Sequence, residues 1–72
     1  MKPEFRKLNN KTIVILERKR THQDFINIVL IKWQNGEYST HVENVQFNPS
    51  AFVNGHYYQD ILDSIKDYRK RL

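Results

Sequence analysis

His22, His41 and His56 are the only imidazoles in this 72-residue chain, and no two of them stand at metal-ligand spacing. Neither a cysteine nor a Glu-x-x-His pattern accompanies them, so no zinc-type ligand set is expected. His22 reads as a turn residue, His41 as part of the polar face of a strand, and His56, which follows a glycine, as an anchor for the last crossing. Ser39, Ser50 and Ser64 carry the hydroxyls, but none lies in a strand–turn–helix elbow of the G-x-S-x-G kind. Three of the eight acids (Asp60, Asp63 and Asp67) belong to one helical segment, and the rest are scattered. The two glycines each follow an asparagine, so no glycine-rich phosphate loop exists. Catalysis needs a preorganised pocket that excludes water, which so short a chain rarely builds alone. The expectation is a non-enzymatic protein with no catalytic residue, cofactor, metal or small-molecule substrate.

The remaining chemistry is that of surfaces. The net charge is +4, with +5 in residues 1–20, −2 in residues 21–56 and +1 in residues 57–72. A basic edge of this kind attracts polyanions. Arg18, Lys19, Arg20, Lys32 and Lys11 are the candidate nucleic-acid contacts, because single-strand binders combine basic grooves with aromatic stacking platforms. At the C-terminus, Arg69, Lys70 and Arg71 have a structural explanation as well, since cations favour the negative end of a helix.

One small domain is expected. A chain of this length buries roughly 60% of its unfolded surface, so its stability margin is thin. It has no cysteine and hence no disulfide framework. The longest apolar run, Ile28-Val29-Leu30-Ile31, is far short of the roughly 20 residues of a membrane span. The first eight residues lack the apolar core of a secretory signal. A soluble, cytoplasmic protein is the expectation.

Asn35-Gly36, between two runs rich in β-branched and aromatic residues, is a strong hairpin signal, because a type I′ turn needs φ > 0 at both central residues. Strands are expected from Lys11 to about Arg20, from Phe25 to Gln34 and from Glu37 to about Phe47. Residues 52–58 contain Asn54-Gly55 and read as a bend before a short fourth strand, or as an irregular crossing. A helix follows over 60–71. Ile61, Leu62, Ile65, Tyr68 and Leu72 recur at helical spacing, Asp60 suits the N-cap, and Asp63 stands at the capping-box position. The expected class is α+β: a three- to four-stranded antiparallel sheet (β-β-β-(β)-α) with one helix on one face, and residues 1–10 as an N-terminal extension.

A two-residue turn at Asn35-Gly36 pairs Trp33 with Tyr38 and Leu30 with His41. Val29, Ile31, Trp33, Tyr38, Thr40 and Val42 then share one face, the natural seat for the helix. That arrangement weakens a reading of Trp33 and Tyr38 as a base-stacking platform. Ile28, Leu30 and His41 fall on the other face. A helix of about 12 residues is about 18 Å long and covers one face, not two. Val14, Leu16, Ile28 and Leu30, with His41 beside them, are therefore expected to form an uncovered apolar surface of the kind that marks a partner site. Its occupant is expected to be a second copy of the chain or another protein, steered by the flanking basic residues. A nucleic-acid-binding homodimer is the alternative.

The segment Gly55-His56-Tyr57-Tyr58-Gln59-Asp60, running into Ile65-Lys66-Asp67-Tyr68-Arg69-Lys70-Arg71, resembles the ending of small uncharacterised bacterial and phage proteins. There a strand with a tryptophan near its end precedes a glycine-histidine-aromatic-aromatic segment and an amphipathic helix. The resemblance covers the last 18 or so residues and the Trp33 strand. It implies a small sheet-plus-helix fold and no activity; the expectation for the whole chain is an accessory or inhibitory protein of a phage or mobile element. The strand order is shared with the single-stranded-DNA-binding coactivator fold, a likeness of topology alone.

Overall fold

The computed structural model describes residues 4–71. Five strands precede one helix: β1 (Glu4–Leu8), β2 (Lys11–Arg20), β3 (Ile26–Trp33), β4 (Tyr38–Asn44), β5 (Ala51–Tyr58) and α1 (Ile61–Lys70). The strands form one antiparallel meander in chain order. The α+β class and the C-terminal helix agree with the sequence reading, while five strands replace the expected three or four. Residues 4–8 are a strand rather than part of an extension. Asn9 and Asn10 have φ of 51° and 64°, the two left-handed positions of a type I′ turn, which asparagine tolerates because its short side chain bonds locally. Residues 51–58 form a full strand along β4, with an extra residue on β5 where Asn54 takes φ 54°.

The Asn35-Gly36 turn forms, but its loop is three residues long. The Gly36 N–H donates to the Trp33 carbonyl at 3.0 Å, the Trp33 N–H donates to the Glu37 carbonyl at 2.8 Å, and Gly36 has φ 92°. Lys32 therefore pairs with Tyr38, Ile31 with Ser39, Leu30 with Thr40 and Val29 with His41. A slip of one residue exchanges the faces of a whole strand. Thr40 and Val42 join Ile28 and Leu30 on one side, while Ser39, His41 and Glu43 join Val29, Ile31 and Trp33 on the other.

The helix takes the Ile28–Leu30 side. Tyr68 closes a cluster with Ile28 and Leu30, and Leu16, Val42 and Ile65 pack around it. Ile28 and Leu30 are each only 3% exposed, so the expected open strip does not exist at these two residues. The observed register puts Val42 beside Ile28, so this side offers the helix an apolar seat. The Asp60 side chain accepts from the Leu62 N–H at 2.9 Å, as an N-cap does. At the other end, Lys19 Nζ donates to the Tyr68 carbonyl at 2.7 Å and lies 4.7 Å from the Tyr68 ring centroid, tying the last turn to β2. Leu62 remains 63% exposed, and Ser64 takes a buried position, with its hydroxyl on the Ile61 carbonyl at 2.7 Å.

Among the described residues no helix covers the other side, yet Ile13, Val29 and Ile31 have no solvent exposure. In a flat sheet β1 and β5 would lie about 19 Å apart. Here Arg6 of β1 donates to the Ser50 carbonyl at 3.0 Å and to Ser50 Oγ at 2.9 Å, and its guanidinium sits 4.6 Å from the Phe52 ring centroid. The sheet is curled until side chains from its two edges meet over the inner cluster of Ile13, Ile15, Val29 and Ile31, which Leu8, Trp33 and Phe52 flank. Curling thus does the work of a second layer. Among the described residues, no helix is long and apolar enough to cross a membrane.

Candidate binding face inside the curled sheet

The inner side of β4 is entirely polar. Ser39, His41 and Glu43 alternate along it at 0%, 5% and 1% exposure. Three consecutive inward polar residues are unusual in so small a core, and each requires a bonded partner.

Glu43 is held from two strands and from the segment that leads into β5. Arg18 donates to it through Nε at 2.7 Å and Nη2 at 2.9 Å, Asn27 at 3.1 Å and the Ser50 hydroxyl at 2.7 Å. Burial pushes the carboxyl pKa up, but the hydrogen bonds from Arg18, Ser50 and Asn27 outweigh it and hold the group below its ordinary range. The same pairing raises the Arg18 pKa, against the effect of burial. Arg18 also donates to Glu4 at 3.0 Å. A cavity of about 540 Å³ opens beside this cluster, lined by Arg18, Arg20, Asp24, Phe25, Asn27 and Val45. Phe25 is 53% exposed and takes φ 67°, a left-handed conformation that is strained for an aromatic residue.

His41 occupies the middle of a row of polar contacts. Trp33 Nε1 can only donate, and does so to Ser39 Oγ at 2.7 Å. Ser39 Oγ lies 3.2 Å from His41 Nδ1 and the Tyr57 oxygen 3.3 Å from His41 Nε2; in the tautomer with its proton on Nε2, Ser39 donates to the ring and the ring donates to Tyr57. Tyr57, which closes this row of contacts, is 56% exposed. Burial first, then the positive charges of Arg71 and His56, lower the His41 pKa to about 4 and keep the ring neutral. Gly55 makes room for it: a Cβ there would lie 2.3 Å from His41 Nε2. The Tyr57 ring centroid stands 5.9 Å from Trp33 and 5.4 Å from His41, the latter edge-on. A cleft of about 710 Å³ opens here between the two hairpin turns, with Leu8, Trp33 and Tyr57 among its lining and Asn9, Asn10 and Lys11 at its rim.

Although Ser39 and His41 touch, the pair lacks the features of a nucleophile and base. Ser39 has no exposure, its oxygen already accepts from Trp33, and the second nitrogen of His41 meets a phenol rather than a carboxylate. On the helix side, Thr40 donates to Asp67, and His56 Nδ1 lies 2.9 Å from the same carboxylate. Arg71 donates to the Thr40 carbonyl at 3.1 Å. Among the described residues, no group of three His, Asp or Glu side chains is placed to hold a metal ion.

The residues expected from the sequence are dispersed. Val14 and Leu16 lie half-buried on the helix side of β2, Ile28 and Leu30 lie under the helix, and His41 lies on the opposite face. Arg18 and Arg20 belong to the inner face, whereas Lys19 and Lys32 belong to the helix side; Lys11 stands at the β1–β2 turn. Sequence reading missed Asn27 and Glu43 and saw Ser39 and Ser50 only as isolated hydroxyls; Arg6 was read as part of the basic edge and Tyr57 as an exposed aromatic. The available signal was the alternation Ser39-x-His41-x-Glu43, which only the correct register turns inward. Neither a known family, nor a curated protein, nor a solved structure matches this chain.

Proposed function

We propose that this chain is a small non-enzymatic binding module that works through the helix-free face of its sheet. The observation that carries the reading is the exposed end of that row of contacts. The exposed Tyr57 phenol and the half-buried Trp33 ring stand together at the mouth of a cleft. Rigid aromatic groups with a polar tip are frequent anchors of interfaces. The occupant is a protein segment. The non-enzymatic part is supported by the sealed environment of Ser39 and the neutral, fully bonded His41.

A second occupant, single-stranded nucleic acid, gains from one observation. Trp33 lies away from the helix, which removes the burial objection to stacking, and Lys11 borders the same cleft. Site-specific photo-crosslinking in cells separates the outcomes. A photoreactive phenylalanine replaces exposed Tyr57 in one variant and exposed Lys66 on the helix in another. Adducts formed from position 57 and not from position 66 support the reading, and their sensitivity to protease or nuclease names the occupant. Equal adducts from both positions, or none from 57, refute it.

A further inference from the structure

We infer that β1 is a self-pairing edge through which two copies of this chain join their sheets around a two-fold axis; this is independent of the reading above. Among the described residues, β1 packs by its backbone only against β2, so its other side is open. The two-residue turn at Asn9-Asn10 decides which groups are open. Leu8 and Lys11 close the hairpin as a hydrogen-bonded pair, so Arg6 and Glu4 also bond inward to β2. Phe5 and Lys7 must therefore direct their N–H and C=O groups outward. The same parity directs the Thr12 N–H away from β1, and it donates to Gln34 Oε1 on the β3 side at 3.2 Å.

Three antiparallel two-fold registers, centred on Phe5, Arg6 or Lys7, set outward groups of β1 against outward groups of the partner strand, and charge selects among them. Centring on Lys7 opposes Lys7 to its own copy. Centring on Arg6 opposes two arginines. Centring on Phe5 opposes Phe5 to Phe5 and places each Glu4 across from the partner copy's Arg6, giving one aromatic and two opposite-charge pairs. Phe5 is 73% exposed on the helix side, beyond the reach of α1, which packs on β3, β4 and β5. Half-buried Val14 and Leu16 continue the apolar strip on β2. Pairing at Phe5 would join the two strips into one. The contact is small beside the roughly 1,200 Å² of a standard stable interface, so the dimer is expected to be weak and concentration-dependent.

Because the chain contains no cysteine, disulfide trapping reads the register directly. Opposed residues of a hydrogen-bonded antiparallel pair have Cα atoms about 5.5 Å apart, within disulfide range. Under mild oxidation Phe5→Cys is expected to give a covalent dimer, while Lys7→Cys and Val53→Cys, the latter on the opposite edge, remain monomeric. Wild-type sedimentation equilibrium is expected to show the mass rising toward twice the monomer value between micromolar and millimolar protein, and Phe5→Glu to abolish the rise. Phe5 lies outside both core clusters, and a circular-dichroism melt confirms that each variant is folded. A wild-type mass that stays monomeric, or trapping of Lys7→Cys as fast as of Phe5→Cys, overturns the inference.

Discussion

Replacing Glu43 with glutamine removes one negative charge from the inside of the sheet and leaves the volume unchanged. Arg18 then loses both of its bonds to a full carboxylate, 2.7 and 2.9 Å long, and keeps only the half-exposed Glu4 at 3.0 Å. The new amide also presents its N–H₂ to donors, since Arg18, Asn27 and Ser50 all donate toward this position. Breaking a fully buried ion pair costs about 3–5 kcal/mol. The Arg18 side chain is 30% exposed and partly rehydrates, so the lower end applies, about 3 kcal/mol. A domain of this size is stable by roughly 4–11 kcal/mol, so the variant should remain folded but lose a large share of its margin. Urea unfolding followed by the fluorescence of Trp33, the sole tryptophan, measures the loss. The exposed Glu4→Gln, 44% exposed in the wild type, serves as the comparison and is expected to cost less than about 1 kcal/mol. The acid limb supplies a second signature. A carboxyl whose folded pKa lies below its unfolded value of about 4.3 stabilises the fold above that pH, and the contribution disappears as pH falls through the folded pKa. Wild type should therefore lose more stability than Glu43→Gln below about pH 4.3. A loss under about 1 kcal/mol at neutral pH, or parallel acid limbs, would refute the account of Glu43 as the buried ion that anchors Arg18, Asn27 and Ser50.

Two further outcomes concern His41. Gly55→Ala forces the imidazole away from a Cβ that would stand 2.3 Å from it, and overpacking of this kind costs about 1–3 kcal/mol; the altered His41 and Tyr57 ring resonances in NMR spectra check it. His41 itself has a folded pKa near 4, below its usual 6.5, so the neutral ring is the stabilising form. Full stability is expected above pH 6.5, with a loss of about 1.4 kcal/mol per unit below it until the folded ring titrates near pH 4. Stability measured against pH in wild type and His41→Phe tests this, and an unchanged slope between pH 6 and pH 4 in the variant removes His41 as its source.

Part of the candidate face was legible in the residues: its strands and the Asn35-Gly36 hairpin follow from local signals. The lack of a nucleophile elbow, a phosphate loop or ligand spacing gave only the expectation of a binding surface. The residues forming that surface were not legible, because every assignment depended on one loop. Asn35-Gly36 satisfies both a two-residue turn and a three-residue turn with a left-handed glycine, and the two differ by one position in register. The apolar quartet Ile28-Val29-Leu30-Ile31 gives period-two reading no preference, since it offers two apolar residues to either face. Trp33 was thus expected under the helix and Leu30 in the open, the reverse of the structure.

From the sequence alone came the strands over 11–20 and around 26–33, the hairpin at Asn35-Gly36, and the helix from its Asp60 cap to its basic end. These are local: φ preference, side-chain period and capping act within a few residues. Tertiary structure decided the loop length, the face that receives the helix, the pairing of residues 4–8, and the curl that joins Arg6 to Ser50. Those outcomes depend on which arrangement buries Ile28, Leu30, Val42 and Tyr68 together while leaving Ser39, His41 and Glu43 fully bonded. No short stretch of chain contains that information, because the competing registers differ only in contacts between residues far apart in sequence.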